Sequence, residues 1–506
     1  MNSKTNHPPV PKVSRRRFLQ TTSSIALSSL LVPNWVRALE LSPNKRIRPC
    51  GPASKYVPKL KVAFVRRKEA YGMWWPGQIY DGEAALQKYQ QYIQENAQAL
   101  GMQVALRPEP IYSIEAADQW LAEAKAQSPD GLLLVTLDRQ QHTWPTVQKA
   151  SESGLPTVVI SPIGSSFTTN TFRFAHQDGI VIFSTDDLAQ VRLGMKLIQA
   201  GTRLRESRFL IIKGEERFDT NVCSFGTQLR YIPAQDFIDA YQKLPLDDQV
   251  QRLGTALIQT AQAMNGPTKT DVFNGIKSYF VTKSLLEREE CDGISMDCLG
   301  ALANLSISLP CIAWSYMNDH GLPAACEADL GAMMMHALVQ YLFDRPGFQQ
   351  DPVAETSREC LIGAHCTCPT KLNGFNQPGT AYTLVNHHGK RDATIRPLWK
   401  IGQRVTVADL IASDTDKPGF GQLKTVKEVP ANPENSKPTM LISTGEVVDN
   451  IAVPPAGGCV VSVAVRLDGV SEMLDFPGFH QLFFYGDFKN ELKAFCQLFG
   501  IHARVV

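Results

Sequence analysis

Apolar residues along the chain come in two spacings, and the spacings alternate. Residues 60–66 (LKVAFVR) form a short apolar run of strand type. Residues 81–101 (DGEAALQKYQQYIQENAQALG) place apolar side chains three and four apart and end in Gly, as an amphipathic helix does. Continuous apolar runs recur at 131–137 (GLLLVTL) and 155–162 (LPTVVISP). Such runs, separated by helices, predict a parallel sheet covered on both faces. A second block repeats the pattern: a strand at 208–214, a helix at 234–244, a strand ending in a loop at 291–300, and a strong helix at 327–343 (EADLGAMMMHALVQYLF). Past residue 355 the chain is richer in Thr, Val, Gly and Pro, residues 457–469 (GGCVVSVAVRLDG) alternate, and a last helix is predicted over 487–500. The fold class that follows is α/β: two Rossmann-like α/β domains with parallel sheets, 59–204 and 205–355, then a β-rich C-terminal domain, 356–506.

Composition narrows the partners. The chain has 506 residues, a formal net charge of +2 and 43% hydrophobic residues. No global basic field points to nucleic acid, and no nucleic-acid partner is expected. Ahead of the first strand, Ser14-Arg15-Arg16-Arg17-Phe18-Leu19-Gln20 is a twin-arginine pattern followed by the weakly apolar TTSSIALSSLLVP. Val36-Arg37-Ala38 then offers small residues to a signal peptidase. The apolar stretch is too short for a stable span. Residues 1–38 therefore read as a removable twin-arginine signal and 39–58 as a linker rich in Pro, Lys and Arg. The expected location is periplasmic or otherwise exported, with the twin-arginine machinery as partner and no stable membrane span after processing. This route carries folded cargo.

Candidate chemistry centres on residues 363–369, GAHCTCP. Cys366 and Cys368 share a face if this is a strand. No second Cys/His pair at zinc-finger spacing follows, and C-x-C is not the C-x-x-C redox spacing. The eleven cysteines are odd in number and show no disulfide framework. The cysteines thus read as packing residues, and His365 as a residue that needs partners elsewhere. Glu327 opens the helix 327–343, where the dipole favours an ionised carboxylate. Asp351 follows a loop, and His480 lies between an apolar run and a turn. Two carboxylates with one or two histidines suit a hard or borderline ion such as Mn²⁺ or Mg²⁺ more than a thiolate zinc site. Asp292 and Asp297 are further candidate ligands, or loop caps.

Four blocks, GLPAACEADLGAMMMHAL, FQQDPVAE, ECLIGAHCTCPTKLNG and FPGFHQLFFYGDFKNELKAFCQLFGI, resemble in order and spacing those of the L-fucose isomerase and L-arabinose isomerase superfamily. Residues 71–83 (YGMWWPGQIYDGE) resemble its first loop. The resemblance runs from residue 60 to the C-terminus and is strongest from 290 onward. It implies a metal-dependent aldose–ketose isomerase, an intramolecular oxidoreductase working through an enediolate, with Mn²⁺ or another divalent cation as cofactor. Glu327, Asp351, His365 and His480 would be the metal ligands. Glu327 and Asp351 would also exchange the substrate proton. His387, in YTLVNHHGKRD, and Trp75, in the first loop, are the candidate substrate contacts. A small sugar is the implied substrate and a homo-oligomer the implied assembly. The His387-His388 pair and the exported location depart from the classical enzymes, so the substrate does not carry over. The rival readings are a periplasmic carbohydrate-binding protein without catalysis, and a metal-dependent glycan hydrolase or lyase on the same scaffold.

Overall fold

The computed structural model describes residues 46–68, 81–139, 141–222, 224–302, 307–387, 392–411, 437–451 and 459–506. The first block is a five-stranded sheet of β1 (Lys59–Val65), β2 (Gln103–Leu106), β3 (Gly131–Thr136), β4 (Thr157–Ser161) and β5 (Ile180–Ser184), in the order β2-β1-β3-β4-β5. Every pairing is parallel. β3 and β4 are buried at every residue, which is why their apolar runs are continuous rather than alternating. The helix Gly82–Leu100 starts where the Asp81 carboxylate accepts from the Glu83 and Ala84 N–H groups, and it stops at Gly101, at φ 64°.

The second sheet contains β6 (Arg208–Ile212), β7 (Phe218–Val222), β8 (Thr227–Ile232), β10 (Gly293–Met296) and β11 (Ala324–Cys326), ordered β11-β10-β6-β8-β7. Only the edge strand β7 runs antiparallel. β9 (Ala263–Asn265) leaves this sheet and joins a small one with β14 (Tyr382–Asn386) and β15 (Ala393–Pro397). The last block holds β12 (Phe348–Glu355), β13 (Cys360–His365), β16 (Arg404–Ile411), β17 (Thr439–Ile451), β18 (Val461–Leu467), β19 (Gln481–Tyr485) and β20 (His502–Val505). Their order is β16-β19-β12-β13-β18-β17-β20, and β17 pairs back onto β16. Six antiparallel strands therefore close into a barrel, which removes the exposed edges of an open sheet. Phe348, Val405, Val407, Val463, Val465 and Phe483 belong to its core.

The helix Leu330–Phe343 joins the blocks. It is apolar around nearly its whole circumference and buried at nearly every position, as such a helix must be. It packs with the helix Ala189–Glu206 on one side and with Ala408, Leu410, Leu482 and Phe484 of the barrel wall on the other. Glu327 does not open this helix. Asp329 is the N-cap, and Glu327 and Ala328 form a left-handed corner at φ 64° and 51° between β11 and the helix. Asp351 is not in a loop either, but within β12, opposite Ala364 of β13.

Candidate functional site

Three adjacent barrel strands place the donors. β12 pairs with β19 on one side, setting Gln350 against Gln481, and with β13 on the other, setting Asp351 against Ala364. His480, Asp351 and His365 therefore stand side by side across the wall. The corner after β11 brings Glu327 over them. His480 Nε2 lies 3.2 Å from Asp351 Oδ1 and 3.4 Å from Glu327 Oε2. His365 Nε2 lies 3.7 Å from Glu327 Oε1. The ligand atoms of Glu327, His365 and His480 all fall within 4.8 Å of one another. So the structure brings together Glu327, Asp351, His365 and His480, the four ligands that the resemblance implied.

Each imidazole is aimed. His480 Nδ1 donates to Asp329 Oδ2 at 2.9 Å, while Asp329 Oδ1 accepts from the Ala332 N–H at 2.7 Å. One side chain thus caps the helix and fixes the tautomer of His480, leaving Nε2 to face the carboxylates. A carboxylate behind a histidine is the usual support of a metal ligand. The buried atoms Asp351 Oδ1, His365 Nε2 and His480 Nε2 make no hydrogen bond of good geometry among the described residues. Buried lone pairs left this way are costly, and a cation between them satisfies all three at once. Glu327 at φ 64° and His480 at φ 55° are strained for residues with a Cβ, roughly 1–3 kcal/mol each. The two residues that most need exact placement carry that strain.

The local field is negative. Burial alone pulls His480 down, but Asp329, Asp351 and Glu327 outweigh it and push its pKa up to about 12. His365 is likewise lowered by burial and raised by Cys326 and Asp351, ending up at about 9. Burial, with the charge of Asp329, lifts Asp409 to about 7. The floor is imidazole: the His365 and His480 side chains are 0% and 4% exposed, against 28% for Glu327 and 36% for Asp351. The centre therefore opens to solvent on its carboxylate side. Phe479, about half exposed, lies tilted against His480 with ring centroids 4.2 Å apart.

The remaining candidates fall elsewhere. Asp292 accepts from the Ala53, Ser54 and Arg208 N–H groups and holds the first helical turn to β6. Asp297 accepts from Gly300 N–H at the start of the helix Cys298–Leu302. Both are caps. His387 is buried, and a ring nitrogen of it lies within 4.8 Å of the Cys311 and Cys366 sulfurs. Trp75 and His388 lie outside the described residues. Sequence reasoning missed Asp329 and Phe479. The N-cap preference for Asp was the available signal for Asp329; for Phe479 there was none.

No family model matches the chain, and no curated protein does. Among solved structures it is similar to an ABC transporter solute-binding protein from Burkholderia multivorans with an unknown ligand interpreted as alpha-D-erythrofuranose. The identity is 11%, over 50% of this chain and 85% of that one, at TM-score 0.18. A periplasmic solute-binding protein from Actinobacillus succinogenes with bound D-allose matches at 10% identity, over 56% and 91%, at TM-score 0.18. One from Agrobacterium vitis bound with alpha-D-tagatopyranose matches at 11%, over 50% and 81%, at TM-score 0.17. The resemblance to the L-fucose and L-arabinose isomerases is corrected accordingly. Neither a family model nor a curated member of that superfamily matches, and these structures are solute-binding proteins at scores too low to transfer a function. The ketol-isomerase activity falls with it. What remains is the geometry.

Proposed function

We propose that this is an exported carbohydrate-binding protein without catalysis, whose ligand is held through a divalent cation seated between Glu327, Asp351, His365 and His480. The observation that carries the reading is the convergence of oxygen and nitrogen donors from separate segments: Glu327, His365 and His480 within 4.8 Å of one another, and Asp351 3.2 Å from His480. Two carboxylates and two imidazoles suit a hard or borderline divalent ion. Such an ion coordinated from the protein side keeps positions open toward the mouth. Vicinal hydroxyls of a sugar are hard oxygen donors that fill two of them. The half-exposed ring of Phe479, beside His480, offers an aromatic face to the apolar side of a sugar ring. The twin-arginine leader, with Arg15, Arg16 and Arg17, supports export of the folded, metal-loaded chain.

Calorimetric titration of the full chain tests this, with Mn²⁺, Mg²⁺ and Zn²⁺ first and then a panel of aldoses, ketoses and alditols. One equivalent of metal is expected, and sugar heat only when the metal is present. Glu327→Gln loses both. Phe479→Ala keeps the metal and weakens the sugar at least several-fold. Sugar binding that survives chelation, or no sugar bound by the metal-loaded protein, overturns the reading.

A further inference from the structure

The cysteines do not pack as isolated small hydrophobes. Cys311 opens the helix Cys311–Asp319, Cys326 ends β11, Cys366 follows β13 and His387 follows β14. All four are buried. The ligand atoms of Cys311, Cys366 and His387 lie within 4.8 Å of one another, and so do those of Cys326, His365 and Cys366. Cys366 belongs to both groups, and the neighbouring Cys311, Cys326 and Cys459 all push its thiol pKa up. Cys298 reaches the same cluster through Cys326. His365 Nδ1 stands 3.4 Å from Cys366 Sγ. By contrast, Cys368 sits in the barrel core with Phe348, Leu372 and Trp399.

Thiols are weak donors and weak acceptors, so this many sulfurs in mutual contact gain little from one another as thiols. As ligands they fit well. Zinc bonds of about 2.3 Å to sulfur and 2.0–2.1 Å to nitrogen put tetrahedral ligands roughly 3.5–3.8 Å apart. That fits the three side chains of the first group, whose donor atoms all lie within 4.8 Å of one another. We propose that Cys311, Cys366 and His387, with Cys459 as fourth ligand, bind one thiophilic cation of the Zn²⁺ or Cu⁺ class. Soft thiolates select these ions over hard ones. The set shares no ligand with the carboxylate centre, so the two sites are separate claims. Four segments distant in sequence meet there: the helix Cys311–Asp319, the ends of β13 and β14, and the start of β18. The ion would clamp the barrel to the second sheet.

The test uses the full chain purified without chelator. Elemental analysis should find about one equivalent of zinc or copper that Glu327→Gln retains, and the element found distinguishes the two ions. X-ray absorption should show metal–sulfur distances of about 2.3 Å. Chelator-stripped protein titrated with Co²⁺ should develop sulfur-to-cobalt charge-transfer absorption, which the carboxylate centre cannot produce. Cys311→Ser and His387→Gln should each weaken binding at least about tenfold, the loss that even an outer-shell partner can produce, whereas Cys368→Ser should keep the metal. If the cluster variants fail to fold, the wild-type cobalt spectrum and sulfur distances still decide. No sulfur–cobalt band, or a Cys311–Cys366 disulfide with no metal by mass spectrometry, overturns the proposal.

Discussion

Asp329 does two jobs with two oxygens, and the jobs are separable. Oδ1 caps the helix Leu330–Phe343, and Oδ2 orients His480. Asp329→Asn keeps an oxygen for the Ala332 N–H but loses the charge behind the imidazole. The expected result is near-native stability with metal affinity lowered about 10–100-fold. Asp329→Ala should lose that affinity and also about 0.5–2 kcal/mol of stability, the usual cost of an N-cap. Urea unfolding and metal titration of the two variants check the split. Equal stability of both would show that the cap contributes nothing here.

At the scale of elements, the contact between the helix Leu330–Phe343 and the barrel sets where Glu327 and Asp329 sit. Gly331 permits it. A Cβ there would press on the Leu410 carbonyl oxygen of β16, well inside contact distance. Backbone cannot swing aside as a side-chain tip can. By helix propensity alone, Gly331→Ala should gain up to about 1 kcal/mol. Overpacking costs roughly 1–3 kcal/mol and should win. The expected outcome is a destabilised protein with weaker metal binding, because the first turn of the helix must retreat from the barrel. Thermal melts with and without the divalent ion check this. A stabilised Gly331→Ala would mean the close approach is not maintained in solution.

At the scale of the molecule, buried charge ties the blocks together and makes stability depend on pH. Asp319 ends the helix Cys311–Asp319 and accepts from Thr370 N–H, Thr370 Oγ1–H and Lys371 N–H, each at 2.7 Å. Burial raises its pKa to about 6 despite these bonds. The folded state therefore holds a proton that the unfolded chain releases near the ordinary value of about 3.9. Between those values the folded state binds more protons, so this group's contribution is full below pH 4 and is lost as pH rises through 6. Urea midpoints of wild type and Asp319→Asn at pH 4, 5, 6 and 7 should converge or diverge only across that window. A constant difference would rule the linkage out. The sequence by itself determined part of the fold: periodicity was enough to find β1, β3, β4, β6, β10 and the buried helix, because local spacing records which faces are covered, but β2, β5, β7, β8 and β11 went unread. It also singled out Glu327, Asp351, His365 and His480. It did not show that Asp351 lies in a strand, that the last block closes through β16 and β17, or that Cys311, Cys366 and His387 come together. Those facts depend on contacts between residues far apart in the chain. No periodicity encodes such contacts, and only the register of paired strands and the packing of the helix between sheet and barrel decide them.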